Sequence, residues 1–244
     1  MEMTGARRIE EGSFERALRE KRAQGRFPVI GDIKCRSPKE GDLMRGRNPV
    51  EIALTLARAG APALSVVTEG AQFGGSLALL TQVAEGTGLP ILRKDFIKSQ
   101  RDLEETKERG ASAVLLICAL LEEARLRRLY AGAMDLGLEV LLEAHNREEL
   151  SLAQSMGAPL IGVNNREIKT LERDSGTVET TEKLLQNRPG QGFYISESGL
   201  FDREDVRKAV RAGADAALVG TALLQAEDPG ALYQALSFDL AAQG

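Results

Sequence analysis

The chain has 244 residues, 43% hydrophobic and 28% charged, which is enough for one large buried core. Its net charge is −4, and its lysines and arginines are spread along the chain, so no basic patch marks a nucleic-acid or membrane surface. No apolar run approaches the roughly 18 residues of a membrane span, and the opening stretch MEMTGARRIEEGSFERALREKR is too charged for a secretion signal. In chain order, the first predicted element is an extra helix over 13–25, SFERALREKRAQG. Predicted strands then follow at 28–34, 62–67, 89–94, 113–118, 138–143, 160–165, 192–198 and 216–220. Each is short and rich in Val, Ile, Leu or small residues, as a buried parallel strand should be. Between them NPVEIALTLARAG, SQRDLEETKERG, REELSLAQSMG and DREDVRKAVRAG carry helical patterns that close on glycine, the usual residue just past a helix.

The recurring unit AGAPAL, RGASAV, MGAPLI and AGADAAL ends a helix on glycine and starts the next strand within a few residues. Eight strands alternating with helices in a chain of this length predict an α/β fold, a closed (β/α)₈ TIM barrel with a short extra N-terminal helix. An open doubly wound sheet is the alternative, but no glycine-rich dinucleotide fingerprint follows the first strand. No linker or low-complexity stretch divides the chain, so one barrel domain over 1–244 is expected, with 1–27 as an N-terminal helical extension. Cys35 and Cys118 both fall in predicted strands and are expected as reduced core thiols, which points to the cytoplasm. A single histidine, His145, with no Cys/His cluster, gives no basis for a transition-metal site.

In a (β/α)₈ barrel the reaction site belongs at the C-terminal ends of the strands. There the stretch LPILRKDF turns from apolar to charged at Lys94 and Asp95. Side chains two apart share a strand face. Asp32 thus goes with Lys34, Lys94 with Leu92, Glu143 with Leu141, Asn164 with Gly162, and Glu197 with Ile195. If those faces point inward, two lysines, three carboxylates and an amide converge over the mouth. Unpaired charge in so enclosed a place is expensive, which points to a reaction site rather than a solvated rim. SESG after strand seven and VGTALL after strand eight place Gly199 and Gly220 where a phosphate can come close, with Thr221 able to cap a short helix. Those two loops commonly hold phosphate in this fold.

The stretches IKCRSPKEGDL, ALSVVTEGAQFGGSL, ILRKDF, AVLLICALL, EVLLEAHNREEL, IGVNNREIKTLERD, SESG and ALVGTALL, in this order, resemble indole-3-glycerol phosphate synthase. The resemblance runs from about residue 28 to residue 230 and touches every predicted strand. It implies a cofactor-free, metal-free carboxy-lyase of tryptophan biosynthesis. The enzyme would close the ring of 1-(2-carboxyphenylamino)-1-deoxyribulose 5-phosphate, with loss of carbon dioxide and water. On the same resemblance Lys94 matches the general acid and Glu143 the acid/base group of the dehydration. Lys34, beside Asp32, matches a lysine that contacts the substrate's anionic groups, and Asn164 and Glu197 match residues that position substrate and stabilise charge. Which lysine protonates at which step stays open. Ser37, Phe73, Phe96, Leu115 and Arg166 match the anthranilate end of the pocket. Ser198, Gly199, Gly220 and Thr221 match the phosphate cradle. Three departures stand out: Asp32 replaces the family's usual glutamate, SPKEG replaces the commoner SPSKG, and the segment before strand one is short. A small-molecule substrate is the one partner implied, with no nucleic acid, membrane or obligate protein partner. Phosphoribosylanthranilate isomerase, a Schiff-base aldolase and a barrel that only binds a sugar phosphate remain alternatives. The first needs a cysteine and aspartate pair, and Cys35 is expected to face away from the barrel centre.

Overall fold

The computed structural model describes residues 12–166, 177–187 and 190–243. The extension ahead of Gly12 and the part of IGVNNREIKTLERD beyond Arg166 lie outside them. All eight predicted strands form: β1 Val29–Ile33, β2 Leu64–Val67, β3 Ile91–Lys94, β4 Ala113–Ile117, β5 Glu139–Ala144, β6 Leu160–Asn164, β7 Phe193–Glu197 and β8 Ala216–Val219. They pair in parallel around a closed barrel in which β1 joins β8, a (β/α)₈ fold. The predicted extra helix is α1, Ser13–Ala23. The outer helices are α2 Pro49–Arg58, α3 Leu77–Thr87, α4 Gln100–Glu108, α5 Glu123–Asp135, α6 Arg147–Ser155, α7 Glu179–Leu185 and α8 Arg203–Ala212. After β8 come α9, Thr221–Gln225, and α10, Pro229–Leu236.

Six of the described helices, α2, α3, α4, α6, α8 and α10, start where a polar side chain accepts from a free backbone N–H group. Ser99 accepts from Asp102 N while the Asp102 carboxylate accepts from Ser99 N, a capping box that opens α4. Asn146 and Asp202 cap α6 and α8 more simply, Asn146 accepting from Glu149 N and Asp202 from Glu204 N and Asp205 N. Two differences from the sequence reading concern the cysteines. Cys35 follows β1 instead of lying in it, and Cys118 opens a 3₁₀ turn, Cys118–Leu120, just past β4. Both are free thiols. The SPKEG loop forms a small antiparallel hairpin in which Arg36–Ser37 pairs with Gly41–Asp42.

Strand alternation divides the core into two parts. Outward-facing residues such as Val29, Val66, Val114, Val140 and Ile161 pack under the helices. Inward-facing residues, including Ile30, Leu92, Leu115, Leu141, Leu160, Ile195 and Leu218, fill the barrel. Phe14 and Leu18 of α1 belong to this inner cluster and are fully buried, so α1 stoppers the N-terminal end of the barrel. Each such side chain contributes about 1.5–3 kcal/mol by burial. Gly12 brings no side-chain cap to α1; Glu139, at the first position of β5, accepts from Phe14 N at 2.6 Å and Glu15 N at 2.8 Å instead. With that end closed, the opposite end is left for chemistry.

Candidate active site

The inward face changes from apolar to charged as the strands reach their C-terminal ends. Leu92 is followed on that face by Lys94, Leu141 by Glu143, Ile195 by Glu197, and Ile30 by Asp32 and Lys34. The register pairs Val67 with Lys94, Ile117 with Glu143, and Asn164 with Glu197, so the polar groups stand in one layer. Lys94 is the centre of it. Its Nζ donates to Glu143 Oε2 at 3.0 Å and to Glu197 Oε2 at 2.9 Å. Both glutamates are fully buried. Asp32 Oδ1 accepts from Ser65 Oγ at 2.7 Å, across the β1–β2 pairing. Asn164 Oδ1 accepts from Arg166 N at 3.0 Å, which leaves its Nδ2 as the donor it can offer a substrate.

Two glycines make room for this layer. A Cβ at Gly162 would collide with Glu197 Oε1, so the empty position on β6 is what admits the Glu197 carboxylate. A Cβ at Gly220 would stand 3.0 Å from Asp32 Oδ2 and 3.2 Å from its backbone oxygen. Gly220 is therefore fitted against Asp32 as well as lining the cavity.

Burial alone would raise the carboxyl of Glu143, but Lys94 and His145 overcome it and hold Glu143 well below the ordinary carboxylate range. Glu197 goes the other way. Burial raises it, Lys94 opposes the rise, and the neighbouring carboxylates of Glu143 and Asp32 add to it, so that it reaches about 7. Lys94 thus favours the charged form of both glutamates; His145 carries Glu143 further down, and the charges of Glu143 and Asp32 keep Glu197 raised.

The cavity over this layer has two basins that share Asp32, Lys34 and Lys94. The first, about 420 Å³, is walled by Phe73, Phe96, Leu115, Val67 and Ile117, with Glu143 and Asn164 at its floor. The second, about 370 Å³, is lined by Arg166, Ser198, Gly199, Gly220 and Thr221. A basin with aromatic and aliphatic walls therefore joins a polar, glycine-rich basin. Ser37 stands apart. It is buried in the hairpin, its Oγ 3.4 Å from the backbone nitrogens of Lys39 and Glu40, and it lines neither basin.

The sequence reading missed two supporting residues. Asn165 Nδ2 donates to the backbone oxygens of Glu197 and Ser198, each at 3.0 Å, and its Oδ1 accepts from Thr181 N and Thr181 Oγ1. It thereby fixes the turn at which Ser198 takes a left-handed φ of 63°. The doubled asparagine of VNN was the available signal. His145 is the other; it contacts Glu143 from behind.

Fold and cavity together describe a (β/α)₈-barrel enzyme, with ionisable groups gathered at the C-terminal ends of the strands. A family model described as indole-3-glycerol phosphate synthase matches residues 2–236. The indole-3-glycerol phosphate synthase of Thermococcus kodakarensis is 47% identical over 201 residues, which is 82% of this chain and 88% of that protein. That of Pyrococcus furiosus is 45% identical over 207 residues, 85% and 90% of the two chains. The Leptothrix cholodnii protein of that name is 39% identical over 229 residues, 94% and 86%. Among solved structures, the N-acetylmannosamine-6-phosphate 2-epimerase of Clostridium perfringens superposes with a TM-score of 0.68 at 15% identity, covering 89% of this chain and 93% of that one, a likeness of fold alone. The chain belongs to the indole-3-glycerol phosphate synthase family.

Proposed function

We propose that the chain converts 1-(2-carboxyphenylamino)-1-deoxyribulose 5-phosphate to indole-3-glycerol phosphate, with the residues of the charged layer doing the acid–base work. The observation that carries this reading is the placement of Lys94, bonded to Glu143 and Glu197 where the two basins meet. The anthranilate ring would lie in the basin of Phe73, Phe96 and Leu115, and the phosphate against Ser198, Gly199, Gly220 and Thr221. The ketone then falls between them, beside Lys94.

The ring carbon bearing the carboxylate is a weak nucleophile, and it must attack the ketone carbon. The Lys94 ammonium donates its proton to the carbonyl oxygen as the carbon–carbon bond forms. The ring carboxylate leaves as carbon dioxide, and its bonding electrons return to the ring. The neighbouring carbon then gives a proton to a base, and that proton returns to the new hydroxyl as it leaves as water. Glu143 is held ionised, so it enters the dehydration as a base. Asp32 and Lys34 line both basins and hold the substrate's polar groups, while Glu197 and Asn164 position the reacting centre. No step calls for a cofactor or metal. We further read the chain as a single barrel domain over 1–244 with 1–27 as an N-terminal helical extension, α1 sharing the barrel's inner core. It would work in the cytoplasm, where free thiols persist, with the small substrate as its partner and without nucleic acid, membrane or an obligate protein partner. No helix among the described residues is long and apolar enough to cross a membrane.

The test is direct. The chain has no tryptophan, so indole fluorescence appearing from the carboxyphenylamino substrate is seen against a low background. Lys94→Ala should lower kcat by about 10²–10⁴-fold and leave the folded structure, followed by circular dichroism, in place. Near-normal turnover by that variant would remove Lys94 from the mechanism.

A further inference from the structure

We propose that His145 is a positioning residue for this reaction: its imidazolium, pinned from behind by Glu149, keeps the Glu143 carboxylate charged and aimed at Lys94. The proposal rests on the reading of Glu143 as the base. The local sequence builds the arrangement. In AHNREE, Asn146 caps α6 by accepting from Glu149 N at 2.9 Å and donates from its side chain to Glu149 Oε1 at 2.7 Å. That leaves Glu149 Oε2 pointing back along the chain, where it accepts from His145 N at 2.8 Å and lies 3.1 Å from His145 Nδ1. Capping α6 explains the backbone contact. It does not explain the other edge of the ring, whose Nε2 lies 3.3 Å from Glu143 Oε1, close enough for an ion pair.

Glu143 thereby meets a cationic group at each oxygen: Lys94 hydrogen-bonds Oε2, and His145 Nε2 faces Oε1 at ion-pair distance without hydrogen-bond geometry. Lys94 must give its proton to the substrate carbonyl, and a buried carboxylate with no other cation beside it would compete for that proton. His145 supplies the second cation. It lies outside both basins, so it acts through Glu143 and not on substrate. The groups that face it agree with the imidazolium form. They are Glu143 on β5, Glu149 on α6 and, in the turn after β4, Cys118. The Cys118 thiol is pushed up to about 12 by burial and then by Glu149 and Glu143, so it stays neutral. Burial of the ring lowers the basicity of His145, and the two carboxylates more than reverse this, to about 10. Behind Glu143 the chain of charge continues to Lys94 and Glu197.

The test uses His145→Gln and His145→Asn, two neutral replacements of different length, each made also in a Glu143→Gln background. Folding is checked by circular dichroism at each pH, and kcat and KM are measured from about pH 4 to pH 9.5. Both single variants should lower kcat roughly 3- to 100-fold, the span of coupling between contacting residues, with KM little changed. The acid limb of the kcat profile should move to higher pH, because Glu143 has lost a cation that favours its charged form. In the Glu143→Gln background neither His145 change should lower kcat further. A loss in only the folded fraction would leave the acid limb in place, and that result overturns the proposal. So does an equal loss in both backgrounds. If Glu143→Gln is crippled while the His145 variants keep wild-type kcat and limb, the error lies with His145; if Glu143→Gln turns over normally, it lies with the assignment of Glu143 and both fall together.

Discussion

Asp32 is constrained on both oxygens. Oδ1 takes the Ser65 hydroxyl, and Oδ2 faces the bare backbone of Gly220. It lines both basins of the cavity together with Lys34. Asp32→Asn keeps the shape and can keep an acceptor for Ser65, but it removes the negative charge from a layer that holds Lys34 and Lys94. Asp32→Glu adds one methylene, which can extend into the open cavity, and keeps the charge. The expected outcome is a fall in kcat/KM of about tenfold for Asp32→Asn, equivalent to about 1.4 kcal/mol, and a smaller fall for Asp32→Glu. Steady-state kinetics of both variants, alongside their thermal midpoints, decide it. If the glutamate is the more damaging change, packing against Gly220 governs this position and charge does not.

At the scale of elements, period-two alternation was enough to place Asp32, Lys94, Glu143, Asn164 and Glu197 on one inward face, because each strand reaches the mouth with its phase intact. The same periodicity held for His145, two residues past Glu143, yet a lone histidine carries no meaning until α6 is seen to return Glu149 beneath it. The hairpin that holds Ser37 could not be read either, since two-residue strands leave no periodicity to detect. Asn165 escaped for another reason. On the outer side of β6, its partners lie on β7 and α7, far along the chain. Its bonds to the Glu197 and Ser198 carbonyls hold a turn in which a non-glycine residue takes a left-handed φ, a conformation costing on the order of 1–3 kcal/mol. Asn165→Ala should therefore loosen the β7 turn, raising KM for the phosphorylated substrate more than it lowers kcat. Inorganic phosphate, tested as a competitive inhibitor, should weaken in parallel. A loss of thermal stability with unchanged KM and unchanged inhibition would leave Asn165 with a purely structural role.

Across the whole molecule, the charged layer ties folding to pH, and the three shifted groups pull in different directions. Glu143 is depressed, so its contribution to stability is present above the ordinary carboxylate value and is lost as pH falls through its low folded value. Glu197 is raised, so the folded state holds its proton more tightly than the unfolded chain; that contribution is present in acid and is lost as pH rises through about 7. His145 is also raised, and its contribution is fully present below the ordinary histidine value of about 6.5 and is lost as pH rises through about 10. Comparing wild type with His145→Gln isolates the last of these, because Glu197 is retained in both proteins and its own titration largely cancels in the difference. The wild-type advantage in Tm should be greatest near pH 6 and should shrink steadily toward pH 10. Each kcal/mol of that advantage appears as about 2–4 °C in a chain of this size. A gap that stays constant from pH 6 to pH 10 would mean that the ring stabilises by packing as neutral imidazole, whereas a gap that closes means the barrel keeps a second cation beside its buried base.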